Sequence, residues 1–356
     1  CAVCWQESGI MVDSSGVKCG EMSSEAATCM RSSLCLLGAM LGRCREVVME
    51  HPGGCVIGER PIDLHLTALG QMGVVFREER GRLHAIEDRL HGAEIDLPTP
   101  SVGATENVIL AGVLAEGDTI LSGAAREPEI TALCRYLQCC GACIEGAGTD
   151  RLVIRGQRRL SGTDFTIPAD RIVAGTYLLA CMGTGGSAFL ERAPGEELTA
   201  VMEVAEHMGG HFCISEQGIY VQGPSRPRAV ERIRTAPYPG FPTDLQSMAL
   251  AVEARGDGVT EIEENIFENR FRVVEGLRRM GACIEQTDSR RVRVTGVPFL
   301  TGAEVCAKEL RGGAALVTAG LMAQGQTSVS GCSFVYRGYE NICRDYTQLV
   351  AINTSL

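Results

Sequence analysis

The sequence has no basic tail and no lysine-rich run. Lysine and arginine total 33 against 44 aspartates and glutamates, for a formal net charge of −11. That balance argues against a nucleic-acid binder. No apolar run is long enough for a membrane span and the first residues carry no signal-peptide pattern, so no membrane partner is expected and a cytoplasmic, reducing setting is the default. The 17 cysteines lack the paired spacing of a zinc site, and 356 residues are too many for a disulfide-stapled miniprotein. Most of these cysteines therefore read as inert; in "LQCCGACIE" (residues 137–145) they look like small apolar fillers where a helix runs into a strand. A starting methionine is also lacking, and the expectation is a fragment.

What is present is an ordinary globular composition, 45% hydrophobic and 22% charged, in a chain long enough for one large domain or two. The chain repeats itself. Apolar helices open at "MRSSLCLLGAML", "SVGATENVILAGVLAEGDTIL", "ADRIVAGTYLLACMGTGGSAFL", "TDLQSMALAVEARGDGVTEI" and "LRGGAALVTAGLMAQGQTSV", and the second residues of these openers are 71, 68, 74 and 67 apart. Each copy reads as helix, strand, helix, strand, strand, with short alternating strands such as "RLVIRG" and "RVRVTG". A period of this length is too long for a solenoid unit, and the strands do not alternate singly with helices as in a doubly wound sheet. The expected fold is α/β (α+β), with the most apolar helix of each repeat buried around a shared axis. Residues 9–21 are expected to hold the last strand pair of a preceding repeat, most of which is missing. The predicted domains are 1–168 and 169–356. Residues 223–242, with five prolines, read as a rigid extended crossing that delivers Thr243 and Asp244 to a set position.

Each buried helix opens on polar residues: Arg31, Ser101 with Gly103, Asp170 with Arg171, Asp244, and Arg311 with Gly312. The plain reading is capping. Ser101 and Asp170 are ordinary N-cap types, and Thr243-Asp-Leu-Gln246 fits a capping box. Arginine is different, because a helix N-terminus already carries partial positive charge. Arg31 and Arg311 there predict an anionic ligand, carrying phosphate and carboxylate, held between guanidinium and free backbone N–H groups; taken singly, each arginine also reads as a solvated salt bridge. In "HPGGCVIGERPIDLH" (residues 51–65), Cys55 sits among Gly53, Gly54 and Gly58, with Pro52 and Pro61 at the edges. That is the pattern of a hinged lid whose thiol is stabilised by Arg60.

The motifs "PGGCVIGERPIDLH", "SVGATEN", "AAREPEI", "RTAPYPGFPTDLQ", "ENIFENRF", "LRGGAALV" and "RGYENI" resemble, in order and at matching spacing across residues 30 to 342, the UDP-N-acetylglucosamine enolpyruvyl transferases. The resemblance implies an inside-out α/β barrel of six repeats in two domains. It implies transfer of the enolpyruvyl group of phosphoenolpyruvate to the 3′-hydroxyl of UDP-N-acetylglucosamine, with release of phosphate, as the first committed step of peptidoglycan synthesis. By the same resemblance Cys55 is the proton donor and the target of fosfomycin. Asp244 contacts the 3′-hydroxyl as base, and its capping role need not compete. Arg60 and Arg337 hold the phosphate, and Arg337 counts with Cys55 and Asp244 as catalytic. Arg270 and Arg311 lie near the carboxylate. Arg31, the run Arg60, Pro61, Ile62, Asp63 and Leu64, the pair Ser101 and Val102, and Ile266 line the nucleotide-sugar site. No metal or cofactor is implied, and a monomer or weak oligomer is expected. His65 either contacts the site or is a structural hydrogen-bonder, the commoner role.

Some positions depart from the family pattern. A Lys-Asn pair of the first repeat has no counterpart here, so this chain alone is expected to have little activity. Glu309 replaces a common aspartate, Tyr336 stands where an aspartate is frequent, and Thr99-Pro100 replaces a lysine-bearing stretch. The competing readings are a sister enzyme acting on shikimate 3-phosphate, disfavoured by "PGGC" and "FPTD", and a non-catalytic nucleotide-sugar-binding paralogue.

Overall fold

The computed structural model describes residues 1–7, 9–17, 20–29, 31–50 and 62–352. These fall into two compact units, the first ending at Thr166 and the second beginning at Ile167. Unit 1 begins with an antiparallel hairpin of β1 (Ala2–Gln6) and β2 (Gly9–Asp13). The expectation for residues 9–21 needs correcting: the strand pair is β1 with β2, and β3 (Gly20–Glu21) instead opens the next sheet. Register explains the choice, because Val3 pairs with Val12 and Trp5 with Ile10, placing apolar side chains opposite one another.

After the short α1 (Ser24–Cys29) and the 3-10 turn Arg31–Cys35, the repeat appears twice in unit 1. The first copy is α2 (Leu36–Leu41), β4 (Glu46–Glu50), α3 (Asp63–Gln71), β5 (Val75–Glu79) and β6 (Arg82–Ile86). The second, introduced by β7 (Glu94–Asp96), is α4 (Val102–Gly112), β8 (Asp118–Ser122), α5 (Pro128–Cys139), β9 (Cys143–Glu145) and β10 (Arg151–Arg155). The sheets have orders β3-β4-β6-β5 and β7-β8-β10-β9, with β3 and β7 parallel to their neighbours and the other pairs antiparallel. Helix α4 is buried nearly all round and packs on α2 and α3. A Cβ on Gly38 would run into the backbone carbonyl of Asn107, so α2 approaches α4 as closely as it does only because that position is glycine. In "LQCCGACIE" the filler reading holds for the buried Cys140 but not for Cys139, which is exposed, or Cys143, whose sulfur accepts from Arg155 at 3.2 Å.

Unit 2 carries two full copies and a third that departs from the predicted order, its helix being followed by two short strands and then a helix. The first is α6 (Arg171–Thr184), β11 (Ser187–Glu191), α7 (Thr199–His207), β12 (His211–Ser215) and β13 (Gly218–Gln222). The proline-rich crossing then supplies β14 (Arg232–Arg234), parallel to β15. The second copy is α8 (Gln246–Glu253), β15 (Val259–Glu263), α9 (Val274–Arg279), β16 (Cys283–Gln286) and β17 (Arg291–Thr295). The third has α10 (Leu310–Met322) between the short pairs β18 (Leu300–Thr301) with β20 (Ala323–Gln324) and β19 (Glu304–Cys306) with β21 (Ser328–Ser330), and α11 (Ile342–Ile352) follows. Helices α6, α8 and α10 pack pairwise on one another at the centre of this unit, with the sheets outside them. Small residues make that contact possible: a Cβ on Gly175 would strike Leu245, and one on Gly183 would strike the sulfur of Met322. This is the inside-out α/β arrangement, helices within and strands without. Among the described residues, no helix is long and apolar enough to cross a membrane.

Candidate active site

In unit 2 the starts of α8 and α10 and the loop after β15 bring charged side chains together. Asp244 lies in the 3-10 turn Thr243–Leu245 that leads into α8. Its carboxylate pairs with the Arg270 guanidinium through Oδ1 and stands 3.6 Å from Arg311 Nη2 through Oδ2. Arg270 is only 2% exposed; its Nε donates to the carbonyl of Thr243 at 3.2 Å, and its Nη1 lies 3.8 Å from Glu309. The Phe267 ring lies beneath it, 5.7 Å away. Arg311 rests over the Tyr339 ring at 5.8 Å, and the hydroxyl of that tyrosine lies 3.4 Å from Arg311 Nη1 and 2.8 Å from Thr176 Oγ1 of α6. Arg171 is buried over Tyr238 at 5.6 Å.

Burial opposes ionisation of Asp244, but Arg311, then Arg270, outweigh it and hold the carboxyl below its usual range. With 41% of the side chain exposed, it is an ionised acceptor turned partly to solvent. Burial likewise opposes the charge on Arg311, and Asp244 and Tyr339 more than offset it. The arrangement is one accepting carboxylate flanked by guanidinium groups able to bind an anion.

Two expectations about helix starts change here. Thr243-Asp-Leu-Gln246 forms no capping box: neither the 3-10 turn nor α8 has a side-chain cap, and the Thr243 hydroxyl goes instead to Glu264. Asp244 is thus spent on arginines and not on a helix end. At α10 the amides are not free. Glu309 caps them, accepting from Arg311 N at 2.8 Å and from Gly312 N. The amides expected to be free for an anionic ligand are taken by Glu309, and the carboxylate beside the Arg311 side chain is Asp244, both from the chain itself. Asp170 does cap α6, accepting from Ile172 and Val173 at 2.7 and 3.1 Å, and Ser101 caps α4 through Ala104 at 3.4 Å.

The other candidates are placed as follows. Arg337 ends the 3-10 turn Val335–Arg337 and is exposed, and the adjacent Gly338 lies against Arg311, whose Nη1 would be 3.4 Å from a Cβ there. Ile266 follows β15, its N–H held by Glu264 at 2.8 Å. In unit 1, Arg31 opens its 3-10 turn, Ile62 precedes α3, Asp63 is exposed in its first turn, and Leu64 and Val102 rest against the core. Cys55, Arg60 and Pro61 lie outside the described residues. His65 is buried, and Asn107 Nδ2 lies 2.8 Å from its Nδ1. Asn107 also holds Leu34 O and Gly38 N, so it ties the turn of Arg31, α2 and α3 to α4. Cys35 is no rival nucleophile, because burial, then Glu106, push its thiol up to about 12, and it donates to Glu106 at 2.8 Å.

The family profile of EPSP synthase (3-phosphoshikimate 1-carboxyvinyltransferase) matches residues 4–345. The chain belongs to the EPSP synthase family. Within that family it is 44% identical to UDP-N-acetylglucosamine 1-carboxyvinyltransferase 2 of Caldanaerobacter subterraneus subsp. tengcongensis, over 96% of this chain and 82% of that one. It is 46% identical to the UDP-N-acetylglucosamine 1-carboxyvinyltransferase of Nitratidesulfovibrio vulgaris, over 88% and 75%. The enolpyruvyl transferase NikO from Streptomyces tendae shares the fold with a TM-score of 0.84 at 23% identity, over 98% of this chain and 83% of that one. EPSP synthase from Acinetobacter baumannii does so with 0.70 at 20%, over 96% and 80%. Sequence reasoning within this family missed Glu264, Tyr339, Thr176 and Asn107 as parts of the network. Glu264, Tyr339 and Asn107 stand in or beside the motifs "ENIFENRF", "RGYENI" and "SVGATEN", but nothing local in a sequence reveals a partner tens of residues away.

Proposed function

We propose that this chain transfers the enolpyruvyl group of phosphoenolpyruvate to the 3′-hydroxyl of UDP-N-acetylglucosamine, releasing phosphate, in peptidoglycan synthesis. The observation that carries the reading is Asp244 flanked by Arg270 and Arg311 in a chain 43–46% identical to relatives named for that reaction. Asp244 accepts the hydroxyl proton as the sugar oxygen attacks C2 of phosphoenolpyruvate. Cys55 gives a proton to C3, and a tetrahedral ketal forms. Loss of a C3 proton and expulsion of phosphate then restore the double bond. Arg60 and Arg337 hold the phosphate, and Arg270 and Arg311 face the carboxylate and the charge that develops. Arg31, Ile62, Asp63, Leu64, Ser101, Val102 and Ile266 line the nucleotide sugar.

The ion pairs bear on this chemistry. Arg311 and Arg270 make Asp244 a weak base in the free protein. An anionic substrate that draws on the same guanidinium groups restores its basicity when a proton must be taken. The test is phosphate release with UDP-N-acetylglucosamine and, separately, with shikimate 3-phosphate, since the family description includes the latter acceptor. Release with the nucleotide sugar alone, at the low rate expected where the Lys-Asn pair has no counterpart, together with one fosfomycin adduct mapped to Cys55, is the expected result. Release only with shikimate 3-phosphate overturns the acceptor assignment.

A further inference from the structure

We infer that Glu264 is a positioning residue that fixes the distance between the catalytic carboxylate and the loop facing the nucleotide sugar; the inference rests on the function proposed above. Glu264 is 0% exposed. Its Oε1 accepts from the N–H of Ile266 at 2.8 Å and of Phe267 at 3.0 Å, which sets the turn that leads to Arg270. The Thr243 hydroxyl donates to the same carboxylate, 3.1 Å from Oε1 and 3.0 Å from Oε2. Among the described residues, the carboxylate takes these hydrogen bonds and no ion pair.

Ordering the loop alone needs only the two amides, a task that a short serine or aspartate performs in many turns. The contact with Thr243, 21 residues earlier in the chain, is additional. It fastens the residue next to Asp244 by its side chain, while Arg270 Nε fastens the same residue by its carbonyl at 3.2 Å. The loop gains a second anchor at Asn265, whose N–H and side chain bond Thr235 at 2.9 and 3.1 Å. Asp244 is therefore referenced to Ile266 through one buried carboxylate. A hydroxyl and a carboxylate that must meet in a reactive geometry are sensitive to displacements of about 1 Å, which affect turnover more than binding.

The test uses Thr243→Val, Glu264→Gln, their double variant and Thr243→Ser, with kcat and KM from phosphate release alongside the folded fraction from thermal melts. Each single change is expected to lower kcat about tenfold, with KM for the nucleotide sugar within about threefold. The double variant is expected to be no worse than the poorer single one, because both changes remove one contact. Thr243→Ser, which keeps the hydroxyl, recovers most of the loss. Unchanged kcat in Thr243→Val, additive losses, or losses that follow the folded fraction overturn the inference alone. Release only with shikimate 3-phosphate overturns the proposed acceptor and this role with it.

Discussion

Glu253, at the end of α8, is 1% exposed, yet among the described residues it carries no arginine partner. Its Oε2 accepts from Thr260 Oγ1 at 2.7 Å and its Oε1 from the N–H of Val230 at 3.2 Å, so it joins the end of α8 to the strands beyond it. Burial pushes its pKa from an ordinary 4.5 up to about 7, against the smaller opposing pull of those two hydrogen bonds. The folded state therefore prefers the neutral acid. A raised value contributes stability that is complete below about 4.5 and lost as the pH climbs through about 7. The interval corresponds to roughly 3 kcal/mol at full effect. Glu253→Gln imitates the neutral acid at every pH. The variant should be close to wild type at pH 5 and gain on it by about 2–3 kcal/mol by pH 8.5, or roughly 5–10 °C in the melting temperature of unit 2. Calorimetry at the two pH values measures this, with hydrogen exchange of residues 228–263 assigning the transition to unit 2. A gap between variant and wild type that is the same at both pH values refutes the reasoning, since it means that Glu253 is ionised throughout or solvated.

Asp244→Asn removes the accepting charge but keeps the shape; kcat for phosphate release should fall about 10²- to 10³-fold with nucleotide-sugar affinity little changed, and calorimetric binding beside the turnover assay checks both. A variant that retains wild-type kcat removes Asp244 from the reaction. Asp170→Ala strips the cap from α6 and should cost about 1 kcal/mol in urea titration, while Asp170→Ser keeps most of it; equal losses in the two would assign the effect to charge and not to capping.

The repeat, the buried central helices and, in four of the five copies, the helix-strand-helix-strand-strand order were legible because they follow from local rules. A helix such as α4, apolar and small-residue-rich on every side, has to be enclosed by other elements. The hairpin was misplaced because the apolar run at residues 9–13 has a candidate strand partner on either side of it, and only pairing decides between them. Partners of polar residues were the least legible part. Thr243 looked like a cap because its neighbours in sequence suit one, yet its hydroxyl is claimed by Glu264, and that choice is made in three dimensions.

The arginine at the start of α10 shows where such reasoning succeeds and where it stops. The positive end of a helix repels a guanidinium, so an anion had to stand nearby. Glu309 on the amides and Asp244 on the side chain meet that need from within the chain. Read from the sequence alone, that charge belongs to a ligand; the electrostatic requirement was sound, but it does not say whether protein or ligand supplies the charge. Because the protein supplies it, Arg311 is already paired before any substrate arrives. Under the proposed function, a phosphoenolpyruvate carboxylate reaching this arginine would have to compete with Asp244, and the carboxylate it displaced would then be free to take a proton.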